Sequence, residues 1–260
     1  MPTTNIEGII VSYDHYRPTE DNGGQRIMYI HGTGCNAKVF SGHIQAISEQ
    51  HEAVAIDLPG HGESEGNGFR SAADYAFFVG ALIEHLEWES CIVAGHSLGG
   101  GIALSLALYF GDLVAGLMLI DTGARLRVNR KVLDLARKAA ETGGVNTQQD
   151  SRFGYADSTP QHVVEGVTAV TSGCDSRVVY KDWIADDSFD CMSRLGQITV
   201  PSLVICGEQD PLTPLKYHEY LRDRLPHCDL ATIEHAGHWP FVENPSAFNE
   251  AVINFLSEQA

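Results

Sequence analysis

Basic residues are scarce in this sequence. Its 260 residues include 17 lysines and arginines against 34 aspartates and glutamates, which gives a formal net charge of −17. Nucleic acids and anionic membrane surfaces are both bound through concentrated basic patches. The charge balance therefore argues against either of them as a partner.

Long apolar runs are also lacking. A membrane-spanning helix needs about 20 largely apolar residues, whereas the run from Leu113 to Ile120 is short and is followed by Asp121. The opening residues, Met1 to Asn5, have no basic segment that leads into an apolar one. We therefore expect neither a membrane segment nor a signal peptide.

The sequence lacks the usual disulfide and metal spacings. Its six cysteines form no C-x-x-C pair and several lie in apolar runs, so we expect reduced thiols in a cytoplasmic protein. Its twelve histidines form no H-E-x-x-H motif. We therefore expect no structural metal and no cofactor. The oligomeric state stays open, a homodimer included.

What the sequence does contain is an alternation of short apolar runs with longer amphipathic stretches. The apolar runs occupy 26–31, 53–57, 90–95, 116–121, 200–207 and 229–233, and helical spacing occupies 72–87, 98–110 and 246–256. Runs that are apolar almost throughout are typical of parallel strands covered on both faces. The sequence predicts an α/β fold with a mostly parallel central sheet flanked by helices, with an extra edge strand or hairpin at 6–17.

This alternation stops between Gly123 and Ile198, where no strand-like run occurs. A structureless loop of that length would be unusual in a compact domain. We therefore expect a core domain formed by residues 1–122 and 199–260, and a mostly helical cap, or lid, at 123–198. Among the aromatic residues of the cap, four are candidates for substrate contacts that we interpret as lid packing: Phe153, Tyr155, Trp183 and Phe189.

The first part of the predicted cap is basic. It holds six of the 17 lysines and arginines: Arg125, Arg127, Arg130, Lys131, Arg137 and Lys138. Two interpretations are open. These residues form the solvated face of an amphipathic helix, or they attract anionic substrates.

The segment Gly95-His96-Ser97-Leu98-Gly99 lies between an apolar run and a helical stretch. A serine hydroxyl is a weak nucleophile until it is exposed and placed next to a base. A strand-to-helix elbow exposes the serine on a strained turn, and flanking glycines remove side chains that would collide there. The helix that follows directs free backbone N–H groups towards negative charge beside the serine. Ser97 is therefore the candidate nucleophile.

Together with this elbow, four further motifs resemble the α/β-hydrolase family over essentially the whole chain. Residues 31–34 resemble its H-G-x-G oxyanion loop, and residues 57–64 resemble its D-x-x-G-x-G-x-S turn, which is scaffold. Residues 207–214 resemble the acid-bearing loop, and residues 236–245 resemble the histidine loop. The resemblance implies a catalytic triad in the family's chain order, Ser97, Asp210 and His238.

The residue types support the same triad independently. A serine nucleophile needs a histidine base, and the histidine needs a carboxylate that fixes its tautomer. His238 follows a predicted strand, at the end of the sheet where ligands bind in open α/β folds. His235 is the alternative base, interpreted as a loop-packing residue, and Asp121 is the alternative to Asp210. The other motif histidines are interpreted as hydrogen-bonding scaffold: His31, His61 and His96.

The tetrahedral intermediate of acyl transfer needs two hydrogen-bond donors for its oxyanion. The backbone N–H of Leu98, directly after the nucleophile, is one candidate. The resemblance implies that the N–H of Thr33 is the other, and Gly34 is the alternative. Cys35 would lie close to this site, where we expect it to serve as a small apolar residue.

These residues predict a carboxylesterase that cleaves small to medium acyl esters through an acyl-enzyme on Ser97, with a small-molecule ester as its partner. Epoxide hydrolases and haloalkane dehalogenases carry an aspartate at the elbow, so Ser97 excludes their chemistry. C–C bond hydrolases of aromatic meta-cleavage products usually have asparagine in place of His96 and a cap arginine, for which Arg152 and Arg177 are weak candidates. Enol-lactone hydrolysis and a non-catalytic ligand receptor are further alternatives.

Overall fold

The computed structural model describes residues 1–19, 23–143 and 152–259. The strands are β1 (Thr3–Ile6), β2 (Ile9–Tyr16), β3 (Arg26–Ile30), β4 (Glu52–Ile56), β5 (Cys91–His96), β6 (Val114–Ile120), β7 (Ser202–Gly207) and β8 (Cys228–Ile233). They form one eight-stranded sheet in the order β1-β2-β4-β3-β5-β6-β7-β8. β1 and β2 form an antiparallel hairpin and β2 pairs antiparallel with β4, whereas all other pairs are parallel. The predicted fold class is confirmed.

Helices flank this sheet and follow most of its strands. They are α1 (Ser41–Ile47), α2 (Ala72–His85), α3 (Leu98–Tyr109), α4 (Arg130–Thr142), α5 (Gln161–Thr171), α6 (Ser176–Ser188), α7 (Leu215–Arg224), α8 (Pro240–Glu243) and α9 (Pro245–Glu258). Short 3-10 helices occupy Ala37–Phe40, Gly111–Leu113 and Leu195–Gln197. Among the described helices, none has the length and apolar character needed to cross a membrane.

Both faces of the sheet are covered by apolar side chains. Along β3, Met28 and Ile30 belong to a core shared with α2 and α3, whereas Ile27 and Tyr29 belong to a core shared with α1 and α9. Alternate residues of a strand point to opposite faces. Every residue of β5 and of β7 is buried, which explains why these segments are apolar almost throughout.

The segment between β6 and β7 departs from the strand–helix alternation, as predicted. Its described part contains α4, α5 and α6 and one isolated β-bridge, between Arg125 and Asp190. Residues 144–151 of the predicted cap lie outside the described residues. The bounds of the cap as a separate unit therefore stay a prediction.

A buried carboxylate joins this segment to the sheet. Asp182 of α6 accepts hydrogen bonds from Tyr75 Oη at 2.6 Å, His61 Nε2 at 2.8 Å and the Gly34 N–H at 3.0 Å. The side chains of His61 and Asp182 are both fully buried. Burial lowers the pKa of His61, but the charge and the hydrogen bond of Asp182 raise it well above the usual 6.5. The contact with Asp182 therefore favours the protonated form of His61.

Asp182→Ala should lower the free energy of unfolding by about 3–5 kcal/mol, because it leaves a buried charge without its partner. The pKa of His61 is raised in the folded state, so the pair's contribution is complete below the ordinary His pKa of 6.5. It is lost as the pH rises through the folded pKa. Urea denaturation at several pH values should show the difference from wild type shrinking with rising pH.

Asp223→Ala is the matched control for this measurement. It breaks an ion pair with Arg222 that lies exposed on α7, and exposed pairs contribute little to stability. A loss in Asp182→Ala no larger than the loss in this control would contradict a stabilising role for the buried pair.

Candidate active site

The chain turns sharply between β5 and α3. Ser97 has φ 54° and ψ −118°, a conformation that side-chain-bearing residues rarely adopt and that strains the backbone. A Cβ on Gly95 would lie 2.1 Å from the Gly99 carbonyl oxygen, and a Cβ on Gly99 would lie 2.2 Å from that of Ile30. Only glycine fits at both positions, as the elbow motif predicts.

The end of β6 holds this elbow in place. The Ser97 N–H donates to the Ile120 carbonyl at 3.0 Å, and the Thr122 hydroxyl donates to the Ser97 carbonyl at 2.8 Å. A Cβ on Gly100 would lie 2.4 Å from the Thr122 side chain. The serine backbone is therefore fixed from both sides.

His238 and Asp210 form a hydrogen-bonded pair. His238 Nδ1 lies 2.8 Å from Asp210 Oδ2, and both side chains are almost completely buried. With Nδ1 donating to the carboxylate, the imidazole keeps Nε2 for other contacts. His238 and Ser97 both line one cavity of about 470 Å³. The structure thus brings the three predicted triad residues to one site.

The environment of Asp210 favours its ionised form. Its Oδ1 accepts from the N–H groups of Leu212 and Thr213 at 2.7 and 3.2 Å, and its Oδ2 accepts from the Thr213 hydroxyl at 2.5 Å. Burial raises the pKa of Asp210, but attraction to His238 and these hydrogen bonds lower it below the usual 3.8. Asp210 therefore carries a negative charge beside the imidazole.

Asp121, the alternative acid, lies close to the His238–Asp210 pair. One oxygen of Asp121, one of Asp210 and a ring nitrogen of His238 lie within 4.8 Å of one another. Asp121 Oδ1 accepts from the Gly207 N–H at 2.9 Å. Burial first, and then repulsion by Asp210, raise the pKa of Asp121 well above 3.8. Burial and the neighbouring Asp210 therefore both favour the uncharged form of Asp121.

The histidine loop is bound by the segment before α5. The His238 N–H donates to the Gly154 carbonyl, and a Cβ on Gly237 would lie 2.3 Å from that same oxygen. Glu243 accepts from the N–H groups of Ala156 at 2.8 Å and Trp239 at 2.9 Å. These contacts attach the loop that carries His238 to residues of the predicted cap.

Two backbone donors flank Ser97. Leu98 is the first residue of α3, so its N–H has no acceptor within the helix. Gly32 lies in the loop that follows β3. A Cβ on Gly32 would lie 3.0 Å from Ser97 Cβ, so the loop 31–34 lies beside the serine. The Gly34 N–H already donates to Asp182 at 3.0 Å. This bond engages the Gly34 N–H, which favours Thr33 over Gly34 as the candidate donor of this loop.

The motif histidines make the contacts expected of scaffold residues. His31 Nδ1 donates to the Gly32 carbonyl at 2.9 Å, and His31 Nε2 accepts from the Leu58 N–H at 3.1 Å. His96 Nε2 donates to the His238 carbonyl at 2.8 Å. Burial, and then the proximity of His238, lower the pKa of His96 to about 3. His96 is therefore a neutral donor that supports the loop of His238.

The cavity has mostly apolar walls that come largely from residues 123–198. Three of the four aromatic residues predicted for the cap line it: Phe153, Tyr155 and Trp183. Phe189 packs against Gly101 of α3. Cys35 also lines the cavity and is buried, and burial raises the pKa of its thiol, so it stays a neutral apolar group. Arg127 and Lys131 line it too, which keeps anionic substrates open as an alternative.

Several alternative residues lie away from the cavity. His235 is exposed on the surface, where its interpretation as a loop-packing residue does not fit. Arg152 donates to the carbonyls of Ala156 and Thr159, and Arg177 pairs with Asp175 at an exposed position. Both arginines are therefore engaged outside the cavity lining.

Asp182 and Asp186 of α6, which were not among the site residues predicted from the sequence, reach the oxyanion loop. Asp186 Oδ2 accepts from the Thr33 hydroxyl at 2.7 Å, and Asp182 binds the Gly34 N–H. Both side chains are buried. Their helical spacing could have identified these two acids. Positions 178, 182, 185 and 186 form one buried stripe of α6, and two of these four residues are acidic.

Within the part of the chain that the structure describes, two groups of buried side chains lie close enough together to enclose an ion: Asp121, Cys206 and His218, and Asp121, Asp210 and His238. Metal ligands must be deprotonated. The pKa of Asp121 is raised, the pKa of the Cys206 thiol is raised by burial, and His238 is hydrogen-bonded to Asp210. The chemistry of both groups is therefore unfavourable for a metal.

Comparisons with known proteins agree on one family. The family model described as the alpha/beta hydrolase family matches residues 27–251. The solved structure of a thermophilic esterase is 30% identical, with a TM-score of 0.82 over 100% of this chain and 98% of that one. The enol-lactonase from Burkholderia xenovorans LB400 is 21% identical, with a TM-score of 0.91 over 98% of this chain and 100% of that one.

A curated relative gives the same result. A pimeloyl-acyl-carrier-protein methyl ester esterase from Photorhabdus laumondii is 26% identical over 95% of this chain and 97% of its own length. The family model covers most of the chain, and the likeness to solved structures extends over nearly all of it. This chain therefore belongs to the alpha/beta hydrolase family.

Proposed function

We propose that this alpha/beta hydrolase is a carboxylesterase that cleaves small to medium acyl esters through an acyl-enzyme on Ser97. The observation that supports it best is the hydrogen-bonded His238–Asp210 pair on the wall of the cavity that Ser97 also lines. The relatives named as esterases act on esters. They support the reaction class and leave the substrate to be found.

In the proposed mechanism, His238 Nε2 takes the proton of the Ser97 hydroxyl as the oxygen attacks the ester carbonyl. The N–H groups of Leu98 and Thr33 stabilise the oxyanion that forms. His238 then returns the proton to the departing alcohol, which leaves an acyl group on Ser97. Water, activated by the same imidazole, adds to the acyl group and releases the acid.

The different states of the two neighbouring acids support Asp210 as the triad carboxylate. A carboxylate stabilises the imidazolium only if it is charged. The pKa of Asp210 is lowered and the pKa of Asp121 is raised. Asp210, which also contacts His238 directly, is therefore the orienting group.

The walls of the cavity support an ester over a meta-cleavage product. The insertion at 123–198 acts as a lid in this proposal, and its aromatic residues form apolar walls suited to an acyl chain. Arg152 and Arg177, the candidates for the cap arginine of C–C bond hydrolases, are engaged elsewhere. An enol-lactone is a cyclic ester, and it stays the second candidate substrate because an enol-lactonase shares the fold over almost the whole chain.

Ser97→Ala should lower kcat for a short p-nitrophenyl ester by about 10⁴-fold or more, because it removes the nucleophile. It should also abolish labelling by a serine-directed phosphonate. Ser105→Ala is the control, since Ser105 lies on α3, the helix that follows Ser97, and donates to the Gly101 carbonyl in the core. Ester hydrolysis that persists in Ser97→Ala would exclude this serine as the nucleophile.

Asp210→Asn should lower kcat by about 10⁴-fold, because an amide no longer holds the imidazole in the reactive tautomer. Asp121→Asn should have a far smaller effect, because Asp210 is the acid that contacts His238 Nδ1 and the raised pKa of Asp121 favours its uncharged form. Steady-state kinetics of both variants on one ester test the assignment. A larger loss in Asp121→Asn would make Asp121 the acid of the triad.

A simple ester should be hydrolysed with a higher kcat/KM than a vinylogous diketone acid of meta-cleavage type. The physical reason is that the cavity walls are mostly apolar, which suits an acyl chain, and that Arg152 and Arg177 are engaged elsewhere and do not bind an acid group in the cavity. The two substrates are compared in parallel with the same enzyme preparation, and Ser97→Ala gives the background. Faster turnover of the diketone acid would favour C–C bond hydrolysis.

A further inference from the structure

Asp186 is the acidic residue among those that line the cavity of Ser97. Its side chain extends from α6 and is 4% exposed, and the residue lines the same cavity as Ser97. Its Oδ2 accepts from the Thr33 hydroxyl at 2.7 Å. Among the described residues, its Oδ1 has no hydrogen-bond partner although it is buried.

The position of Asp186 is fixed relative to the scissile bond. Its carboxyl group contacts the side chain of Thr33, whose N–H is the proposed oxyanion donor. One turn earlier on α6, Asp182 binds the Gly34 N–H, His61 and Tyr75. Residues four apart lie on the same face of a helix, so both acids reach the same loop. A substrate atom near Asp186 Oδ1 would therefore be close to the scissile carbonyl.

The surroundings keep Asp186 uncharged at neutral pH. Burial raises its pKa to about 8, the Thr33 hydrogen bond opposes this effect, and Asp182 and Asp187 add to it. The proton belongs on Oδ1, because Oδ2 already accepts a hydrogen bond. A buried O–H donor without an acceptor is unfavourable, and a substrate oxygen would remove that penalty.

The charged and titratable groups around Asp186 come from every neighbouring element. They include Asp182 and Asp187 of α6, and the titratable residues that line the same cavity: Cys35, His96, Arg127, Lys131, Tyr155, Tyr217 and His238. Asp182 is paired with His61, and the Arg127 guanidinium donates to the Asp187 carbonyl. The cationic groups of His61 and Arg127 are thus bound to residues other than Asp186.

We propose that Asp186 is a substrate-binding residue that donates a hydrogen bond to an acyl-chain oxygen near the scissile carbonyl, so that the enzyme favours esters of alkoxy or hydroxy acids over esters of plain alkanoic acids. This inference rests on the proposed esterase function and specifies its substrate class. A donor that is already desolvated gains from a correctly placed acceptor and loses if an apolar CH₂ group occupies that place.

The test compares p-nitrophenyl methoxyacetate with p-nitrophenyl butyrate, which have the same chain length and differ by an oxygen in place of one CH₂. The measured quantity is the ratio of their kcat/KM values, methoxyacetate over butyrate. Asp186→Leu, which removes the donor at similar volume, should lower this ratio about tenfold relative to wild type. Asp186→Asn, whose amide can still donate, should keep the ratio close to that of wild type.

The pH dependence of the same ratio gives a second readout. In wild type the ratio should fall as the pH rises through about 8, because ionised Asp186 is no longer a donor. In Asp186→Asn it should stay constant. Groups that act equally on both esters, His238 among them, cancel in the ratio. A difference infrared spectrum of wild type minus Asp186→Asn should also show the C=O band of a protonated carboxyl group below this pH.

The inference is overturned if Asp186→Leu slows both esters equally, because the residue would then only hold the loop of Thr33. It is also overturned if the infrared band is absent, a result that does not depend on how well Asp186→Leu folds. If wild type hydrolyses neither ester and resists the phosphonate, the proposed esterase function fails and this inference fails with it. Hydrolysis of both esters with an unchanged ratio in Asp186→Leu would overturn the inference alone.

Discussion

The site depends on one close approach of backbone to backbone at the start of α3. A Cβ on Gly99 would lie 2.2 Å from the Ile30 carbonyl oxygen, so the helix can reach the end of β3 only without a side chain there. This contact brings the loop after β3 beside Ser97. Thr33 and Ser97 therefore line the same cavity, and the strain at Ser97 is the local cost of turning from strand to helix within one residue.

Four buried aspartates surround this site, and their partners give them different states. Burial disfavours the charge of each. Asp210 and Asp182 each contact a histidine, at 2.8 Å in both cases. Asp121 and Asp186 accept hydrogen bonds from uncharged groups, and their pKa values are raised. Aspartates of this chain, which has 34 acidic residues, therefore differ in their electrostatic character according to their hydrogen-bond partners.

The structural features that could be predicted from the sequence are those that short stretches of neighbouring residues determine. The apolar run of β5 and the glycines around Ser97 identify the elbow, because each reports a local steric requirement. Helix α7 was missed, since only two of its residues, His218 and Leu221, are buried and no apolar stripe marks it. Asp182 and Asp186 were missed because their partners in the oxyanion loop lie 148 and 153 residues away along the chain.

The segment between β6 and β7 does more than cover the serine, because it is attached on both sides of the cavity. On one side, Asp182 holds the oxyanion loop through Gly34. On the other side, the Gly154 carbonyl accepts from the His238 N–H, and Glu243 binds the Ala156 N–H. A movement of this segment would therefore shift the base and the oxyanion donors as well as the walls. The same segment thus lines the cavity and is hydrogen-bonded to the two loops beside Ser97, so residues far from the elbow in sequence contribute to the surroundings of the serine.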